Sequence, residues 1–445
     1  MKNLIFSLTA LIFMSCGSTS SDLITISTID ELAQYAALSG NNVKMTPGVY
    51  QMRDYIQGDV LEQKKEMGDC TYITFSGDNN TFDLSDVTFE VHTEIKALIT
   101  TPTDVREVKV TGDNNHIKGY KIEHIGNTAG GISMTVEGEG NTIENVTFKL
   151  QGSFPYGYGD LFGKGRDRVI RTLQKHCGFL ITGSKTTVIG CELYIKALGH
   201  GYFIQNSASD ITFIDCYVEG ELRTTDDILT ETNTPASEVD FRTVSLNRKG
   251  ENVVTPGYMK VLCEDGFRTY SSDNNNIRFI NCTAKNTRGG FELRTKGGVY
   301  LENCTTIGCE RAYWVSDNAV VRGCKGDANY GPLLFVEGHN ADVELSLVPT
   351  ESDRLVHAIA TIHGENNSVT INPYNGENRK SPLPILVGYR EPLHGEMMTP
   401  FTQAQSTSLK LVNNTTMPVF VEEKSVDSNI TSVGEVQTVS GVEEW

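Results

Sequence analysis

One short pattern of residues, written three times between Asp265 and Gly326, limits this chain to very few architectures. Gly266-Phe267-Arg268-Thr269-Tyr270, Gly290-Phe291-Glu292-Leu293-Arg294 and Ala312-Tyr313-Trp314-Val315-Ser316 are each followed by a polar turn and a second apolar run ending in Cys282, Cys304 or Cys324. These cysteines are 22 and 20 residues apart. A period of that length, built of short strands and turns with no helical pattern, marks a solenoid whose coils bury their faces only against the next coil.

The pattern extends upstream. Gly178-Phe179-Leu180-Ile181-Thr182 leads to Cys191 and Gly201-Tyr202-Phe203-Ile204-Gln205 to Cys216, with weaker copies ending at Val146, Tyr120 and Val87. In register, Phe179, Tyr202, Phe267, Phe291 and Tyr313 form one column, and Ile181, Ile204, Thr269, Leu293 and Val315 another; both must point inward. Strand side chains alternate with period two, so Phe203, Arg268, Glu292, Trp314 and Gln205, Tyr270, Arg294, Ser316 point outward. The outer face should therefore carry a polar and charged column. Ten cysteines in the chain invite a disulfide framework, but five of them repeat at one position (Cys191, Cys216, Cys282, Cys304, Cys324), which reads as an interior ladder of free thiols.

A solenoid can use all 445 residues as one domain. The net charge of −18, with no broad basic face, excludes a nucleic-acid partner. Lys2, the apolar run Leu4 to Met14 and then Ser15-Cys16-Gly17 form a secretory signal. Cysteine at the cleavage point resembles a bacterial lipoprotein signal, which implies acylation of Cys16, a lipid anchor at the outer membrane as the only membrane contact, and a tether over residues 17–24; a plain signal peptide is the alternative.

Thr28-Ile29-Asp30-Glu31 is a capping box opening a short helix to about Leu38, closed by Gly40. With Val43 to Met45 and then Pro47-Gly48-Val49-Tyr50, this segment resembles the start of the pectate-lyase-like parallel β-helix proteins. The resemblance covers about residues 25 to 375. It implies an all-β, single-stranded, right-handed parallel β-helix over residues 51–405, an N-terminal cap over 25–50 containing the helix, and C-terminal cap strands over 406–445. Two long insertions, 151–176 and 219–264, break the rhythm and should build a binding face.

The first insertion holds Tyr156, Tyr158, Lys164, Arg166, Arg168, Arg171, Lys175 and His176 against only Asp160 and Asp167. Rings stack on sugar faces and arginine forks hold carboxylates or sulfates, so the patch suits an acidic glycan; a solvated loop is the bland reading. The second insertion and its flanks hold Arg223, Asp226, Asp227, Arg242, Arg248, Lys260, Glu264 and Asp265. Just before it, His200 lies between two glycines, either as an acid or base or as a corner histidine bonded to backbone. Lys260 beside arginines is a weaker candidate base. Arg268, Glu292 and Arg294 either clamp a substrate carboxylate or form a surface ion-pair ladder of little energetic weight. No cofactor is expected, although Asp226-Asp227 leave Ca²⁺ open.

The resemblance implies action on polysaccharides, by lyases that eliminate across C4–C5 of uronates or by glycosidases of the polygalacturonase type. Elimination needs a neutralised carboxylate, a base at C5 and an acid at O4; hydrolysis needs clustered carboxylates. Arg, Lys, His and Tyr outnumber carboxylates on the outward column, which favours a carbon–oxygen lyase. The chain looks like the exported β-helix proteins that marine bacteria use on ulvan or alginate, either cutting the chain or dehydrating a terminal uronate. The Asn-Lys-Ser pattern of alginate and chondroitin lyases of this fold is absent. His200, Lys260 and Arg268 are the candidate catalytic residues; Arg223, Arg242, Tyr270, Arg288, Glu292, Arg294, Tyr156 and Arg166 are the candidate substrate contacts. A monomer acting on an acidic poly- or oligosaccharide is expected; a glycoside hydrolase using Glu264, Asp265 and Glu292, or a non-catalytic glycan-binding lipoprotein, are the rivals.

Overall fold

A computed structural model describes residues 22–101, 104–163, 169–350, 352–376, 383–390 and 401–440. Cys16, Lys164, Arg166, Asp167 and Arg168 lie outside the described residues. The chain is a right-handed parallel β-helix. One face is a sheet of 13 strands that starts at Thr71–Phe75 and ends at Val436–Val439. The other two faces merge through Val320–Gly326, which pairs in parallel with strands of both.

The columns read from the repeat are the registers of the 13-stranded sheet. Phe179, Tyr202, Phe267, Phe291 and Tyr313 face one another across successive strands. The rings from Tyr202 to Tyr313 stack nearly flat, with centroids 5.0, 4.7 and 5.4 Å apart. The five ladder cysteines are buried, and every cysteine among the described residues is free. The thiols bond along the column, Val146 N–H to Cys191 Sγ at 3.4 Å and Cys304 N–H to Cys324 Sγ at 3.3 Å.

Corner chemistry explains the asparagine-rich turns. The residues before Val146 and the five ladder cysteines are Asn145, Gly190, Asp215, Asn281, Asn303 and Gly323, all left-handed with φ between 53° and 61°. Asparagine, aspartate and glycine tolerate that geometry. Another corner carries a buried asparagine ladder, in which Asn41, Asn80 and Asn115 N–H groups donate to the amide oxygens of Asn80, Asn115 and Asn141 at 2.8, 3.0 and 2.9 Å.

The helix at the start spans Ile29–Ala36, with the Thr28–Glu31 capping box formed and Ile29, Leu32 and Ala36 buried. At the other end the anticipated strands are themselves coils of the β-helix. Lys410–Asn413, Val419–Glu422, Asn429–Ser432 and Val436–Val439 continue the parallel stack as further coils.

The outer face is also less polar than the repeat suggested. Phe203 and Trp314 are only 3% and 4% exposed. Trp314 joins Phe335, Leu386, Tyr389 and Phe401 in a separate apolar cluster over the sheet. The two insertions pack on each other around Tyr158, Leu161, Phe162, Ile228, Val254 and Tyr258. Leu222–Thr224 and Met259–Val261 form an antiparallel pair at the base of the second insertion.

Candidate active site

Charge is concentrated where the chain enters the 13-stranded sheet. Three residues upstream of the inner aromatic column stand Glu264, Arg288 and Glu310, one per coil; one residue further along stand His200, Asp265 and Arg311. Adjacent coils lie about 4.8 Å apart, so unlike charges in one column pair automatically. Arg288 forks onto Asp265 at 3.1 and 3.0 Å and also reaches Asp160 of the first insertion at 3.0 Å and Glu264 at 3.4 Å. Burial alone would raise the Glu264 carboxyl, but His200, Lys175 and Arg288 hold it down at about 2. Asp265 is likewise held well below the usual carboxylate range, against its burial, by Arg288, His200 and Arg268.

His200 is 4% exposed. Its Nε2 lies 3.1 Å from Glu264 and its Nδ1 3.4 Å from the Asp265 carboxylate. The Tyr270 hydroxyl bonds to Nε2. In the tautomer in which the phenol donates, Nδ1 carries the ring proton toward the Asp265 carboxylate, giving a Tyr–His–Asp relay; in the other, Nδ1 accepts from the Asp265 backbone N–H at 3.4 Å and Nε2–H faces Glu264. Tyr270 is itself 48% exposed and presents the outer end of that relay to solvent. Its pKa is raised, first by burial of the hydroxyl and then by Glu264, so it is a protonated phenol at neutral pH.

Tyr270 stands at one end of a cleft of about 530 Å³ along the downstream edge of the 13-stranded sheet. Tyr270, Arg294, Ser316, Glu337 and His363 all line it, and all are the third residue after the inner column in consecutive coils. Four coil steps make the floor roughly 20 Å long, enough for several sugar rings. Arg268 lies 4.9 Å over the Tyr270 ring and pairs with Glu292; Arg294 lies 4.4 Å over Trp314 and bonds Glu337 at 2.8 Å. The Arg294 side chain is 29% exposed against 16% for Arg268, which makes Arg294 the more accessible cation.

The other anticipated residues separate by position. Lys260 is 2% exposed and bound to Asp160 at 2.5 Å and Glu310 at 3.1 Å, so it ties the second insertion to the sheet and does not face the cleft. Arg288 and Glu292 are buried partners of the relay and of Arg268 rather than open contacts. Arg223 stays in the insertions, 5.6 Å over Tyr158 and paired with Glu231. Arg242 donates to the Val239 carbonyl at 3.1 Å. Tyr156 bonds Glu221 and lines a different groove. Asp226 accepts from Arg354 at 2.9 Å and Gly257 N–H at 3.1 Å. The cleft is thus a mixed-charge trough, not a basic one, because a solenoid coil lets each cation take a carboxylate from the coil beside it.

Lys175, Asp160, Glu310, Glu337, Lys296 and His363 are site residues that sequence reasoning did not place here. Glu310, Glu337 and His363 were within reach of the register count: Glu310 stands three residues before Tyr313, and Glu337 and His363 fall on the outward column in the two coils beyond Ser316. Asp160 and Lys175 were not, because an insertion has no register.

No family model matches the sequence, and no curated protein matches it. Among solved structures the chain is similar to a PL6 alginate lyase in complex with a trisaccharide, with a TM-score of 0.50 and 11% identity over 94% of this chain and 87% of that one. It is also similar to the alginate lyase AlyF-OU02, with a TM-score of 0.47 and 12% identity over 94% and 85%. A third is an alginate lyase from Paenibacillus sp. str. FPU-7, with a TM-score of 0.37 and 10% identity over 94% and 98%. What is shared at such identities is the fold. The resemblance first read from Pro47-Gly48-Val49-Tyr50 holds at that level.

Proposed function

We propose that this chain is a carbon–oxygen lyase that acts by β-elimination on uronate-containing polysaccharide or its oligosaccharides in the cleft between Tyr270 and His363. The observation that carries the reading is the half-exposed Tyr270 side chain, its hydroxyl bonded to His200, with Arg294 and Arg268 beside it. Arg294 takes the uronate carboxylate, which lowers the cost of a carbanion-like state at C5. As His200 takes the phenol proton, the Tyr270 oxygen removes the C5 proton. The C5–H electron pair becomes the C4–C5 double bond, the C4–O4 bond breaks, and the same Tyr270 hydroxyl protonates O4 while His200 returns its proton. Alginate lyases of the same fold support the reaction class. Sulfated algal polymers of the ulvan type, and terminal uronates whose O4 leaves as water, are the finer alternatives; Lys296 and His363 in the same cleft support a second anionic group on the sugar.

The test is ultraviolet absorbance of the conjugated double bond on a panel of acidic polymers and their oligosaccharides, with product masses to separate chain cleavage from loss of one water. Glu264, Asp265 and Glu292 are all buried in ion pairs, which counts against the rival hydrolase that would use them. Asp317 and Glu337 do line the cleft, and a product without the chromophore would hand the chemistry to them. Export and anchoring through Cys16 rest on the Lys2 to Gly17 segment, and mass spectrometry of the mature N-terminus tests them.

A further inference from the structure

A second pair of grooves lies outside the 13-stranded sheet, along the downstream ends of Lys121–Ile125, Thr147–Gln151 and Glu192–Lys196, and shares no residue with the cleft. Two hollows of about 360 and 370 Å³ adjoin through Gln151 and Lys196. Phe154 and Tyr156 rim the first, 48% and 50% exposed. A phenylalanine half in water over a concavity has no polar tip to satisfy, so its exposure calls for a ligand surface. Its backbone is pinned: Phe154 N–H donates to Gln174 O at 3.0 Å, Gln174 N–H donates back at 2.8 Å, and Ser153 Oγ accepts from Leu198 N–H at 2.8 Å. Tyr156 is held by Glu221. The rings are therefore presented on a rigid strand bridge, which spares a ligand the cost of ordering them.

The charge at this place narrows the ligand. Lys196 is the one charged residue lining the first hollow, and Lys149 with Glu123 and Lys196 lines the second. The Lys196 and Lys149 ammonium groups each pair with a carboxylate at 3.3 Å, Glu221 and Glu123, but their side chains stay 62% and 48% exposed and keep N–H groups facing solvent. In a chain of net charge −18 these ammonium groups beside two stacking rings fit an acidic sugar chain. We propose that the Phe154–Tyr156 grooves are a second, non-catalytic polysaccharide-binding site that holds an acidic glycan by ring stacking and by Lys149 and Lys196. The proposal rests on the reading of the chain as a protein of acidic glycans, and it retains polymers near the cleft without taking part in elimination.

The test uses affinity electrophoresis of the full chain through gels containing alginate, polygalacturonate or ulvan, with neutral cellulose derivative as control. Each protein is also run in a Tyr270→Phe background so that turnover does not erode the matrix. The Phe154→Ala/Tyr156→Ala variant should lose at least about tenfold in apparent affinity for the retarding polymer, since two stacked rings are removed. Turnover of short oligosaccharides should stay within about twofold, while KM for the polymer rises, as expected of a site outside the transition state. Both rings are surface groups, so an unchanged Tm confirms the fold. Unaltered retardation in the double variant, or equal retardation by the neutral polymer, overturns the site. Retardation that depends on these rings, in a chain yielding no ultraviolet chromophore on any acidic substrate, keeps the groove and removes the lyase reading instead.

Discussion

Replacing Tyr270 by phenylalanine separates chemistry from architecture more cleanly than any other single change in this molecule. The ring stays, and with it the 4.9 Å contact under Arg268. What is lost is one hydrogen bond to His200, whose nitrogens keep Glu264 at 3.1 Å and Asp265 at 3.4 Å. A hydrogen bond of this kind contributes about 0.5–1.5 kcal/mol net, and a half-exposed phenol lies at the low end because water replaces part of it. The expected fall in stability is therefore about 1 kcal/mol or less. The rate should respond on another scale. If the phenol both removes the C5 proton and protonates O4, the variant should lose roughly 10²- to 10⁴-fold in kcat, or about 3–5 kcal/mol of barrier, with KM little changed. Initial rates of ultraviolet absorbance on the best acidic substrate, beside urea unfolding of the same preparations, measure both quantities. A Tyr270→Phe variant that keeps more than a third of wild-type kcat refutes the relay.

The remaining expectations concern the groups around that relay. Arg294→Ala should lower kcat/KM by roughly 10²-fold on uronate substrates, and kinetics on a carboxyl-reduced substrate should show no such difference between variant and wild type. Arg288→Met should destabilise by about 3–5 kcal/mol in urea unfolding, because Asp160, Glu264 and Asp265 lose a shared buried cation; an effect under about 1 kcal/mol would contradict the network. Acid should unfold the protein in two stages seen by circular dichroism. Burial first, and then Lys96, holds His176 down at about 4 from the ordinary 6.5 of a histidine, so stability present above about pH 6.5 is lost as pH falls to about 4. Glu264, lowered from 4.5 to about 2, contributes stability above about pH 4.5 that is lost as pH falls through about 2; each contribution is on the order of 3 kcal/mol. Cys304→Asp should prevent folding or cost several kcal/mol, as Cys304 is buried between thiols and carbonyls that cannot pair a carboxylate.

The repeat made the fold legible because a parallel coil repeats the same interior demand at every turn. Phe179 to Tyr313 and the five ladder cysteines could be placed in columns by counting alone. The same count placed Tyr270 next to Arg294 and His200 next to Asp265, and the structure has those registers. It gave no accessibility: Lys260, Arg288 and Glu292 are ionic residues of the kind that usually lie in water, yet each is buried by partners from another coil or insertion. Strands were expected over 406–445 and are present, but their threonine, asparagine and serine, where earlier coils carry rings and cysteine, left their register in the stack unread. Arg223, Arg242 and Tyr156 were assigned to one site because insertions were assumed to project over it, whereas they collapse on their own apolar cluster around Tyr158 and Phe162.

That collapse determines what the cleft can do. Asp160 and Lys260 come from different insertions and meet at 2.5 Å, and Arg288 joins Asp160 to the carboxylates behind His200. Glu264 and Asp265 are thereby held ionised, so neither can serve as the protonated acid that glycoside hydrolysis requires. Both lie behind His200, while Tyr270 is kept protonated in front. Protons can then move between a neutral phenol and an imidazole without any carboxylate changing state. Arginine, already bound on one side to Glu337, needs only its exposed edge to hold a sugar carboxylate. A network that looks like wasted pairing in an acidic sequence is, in this arrangement, what makes proton transfer at C5 the chemistry within reach of the cleft.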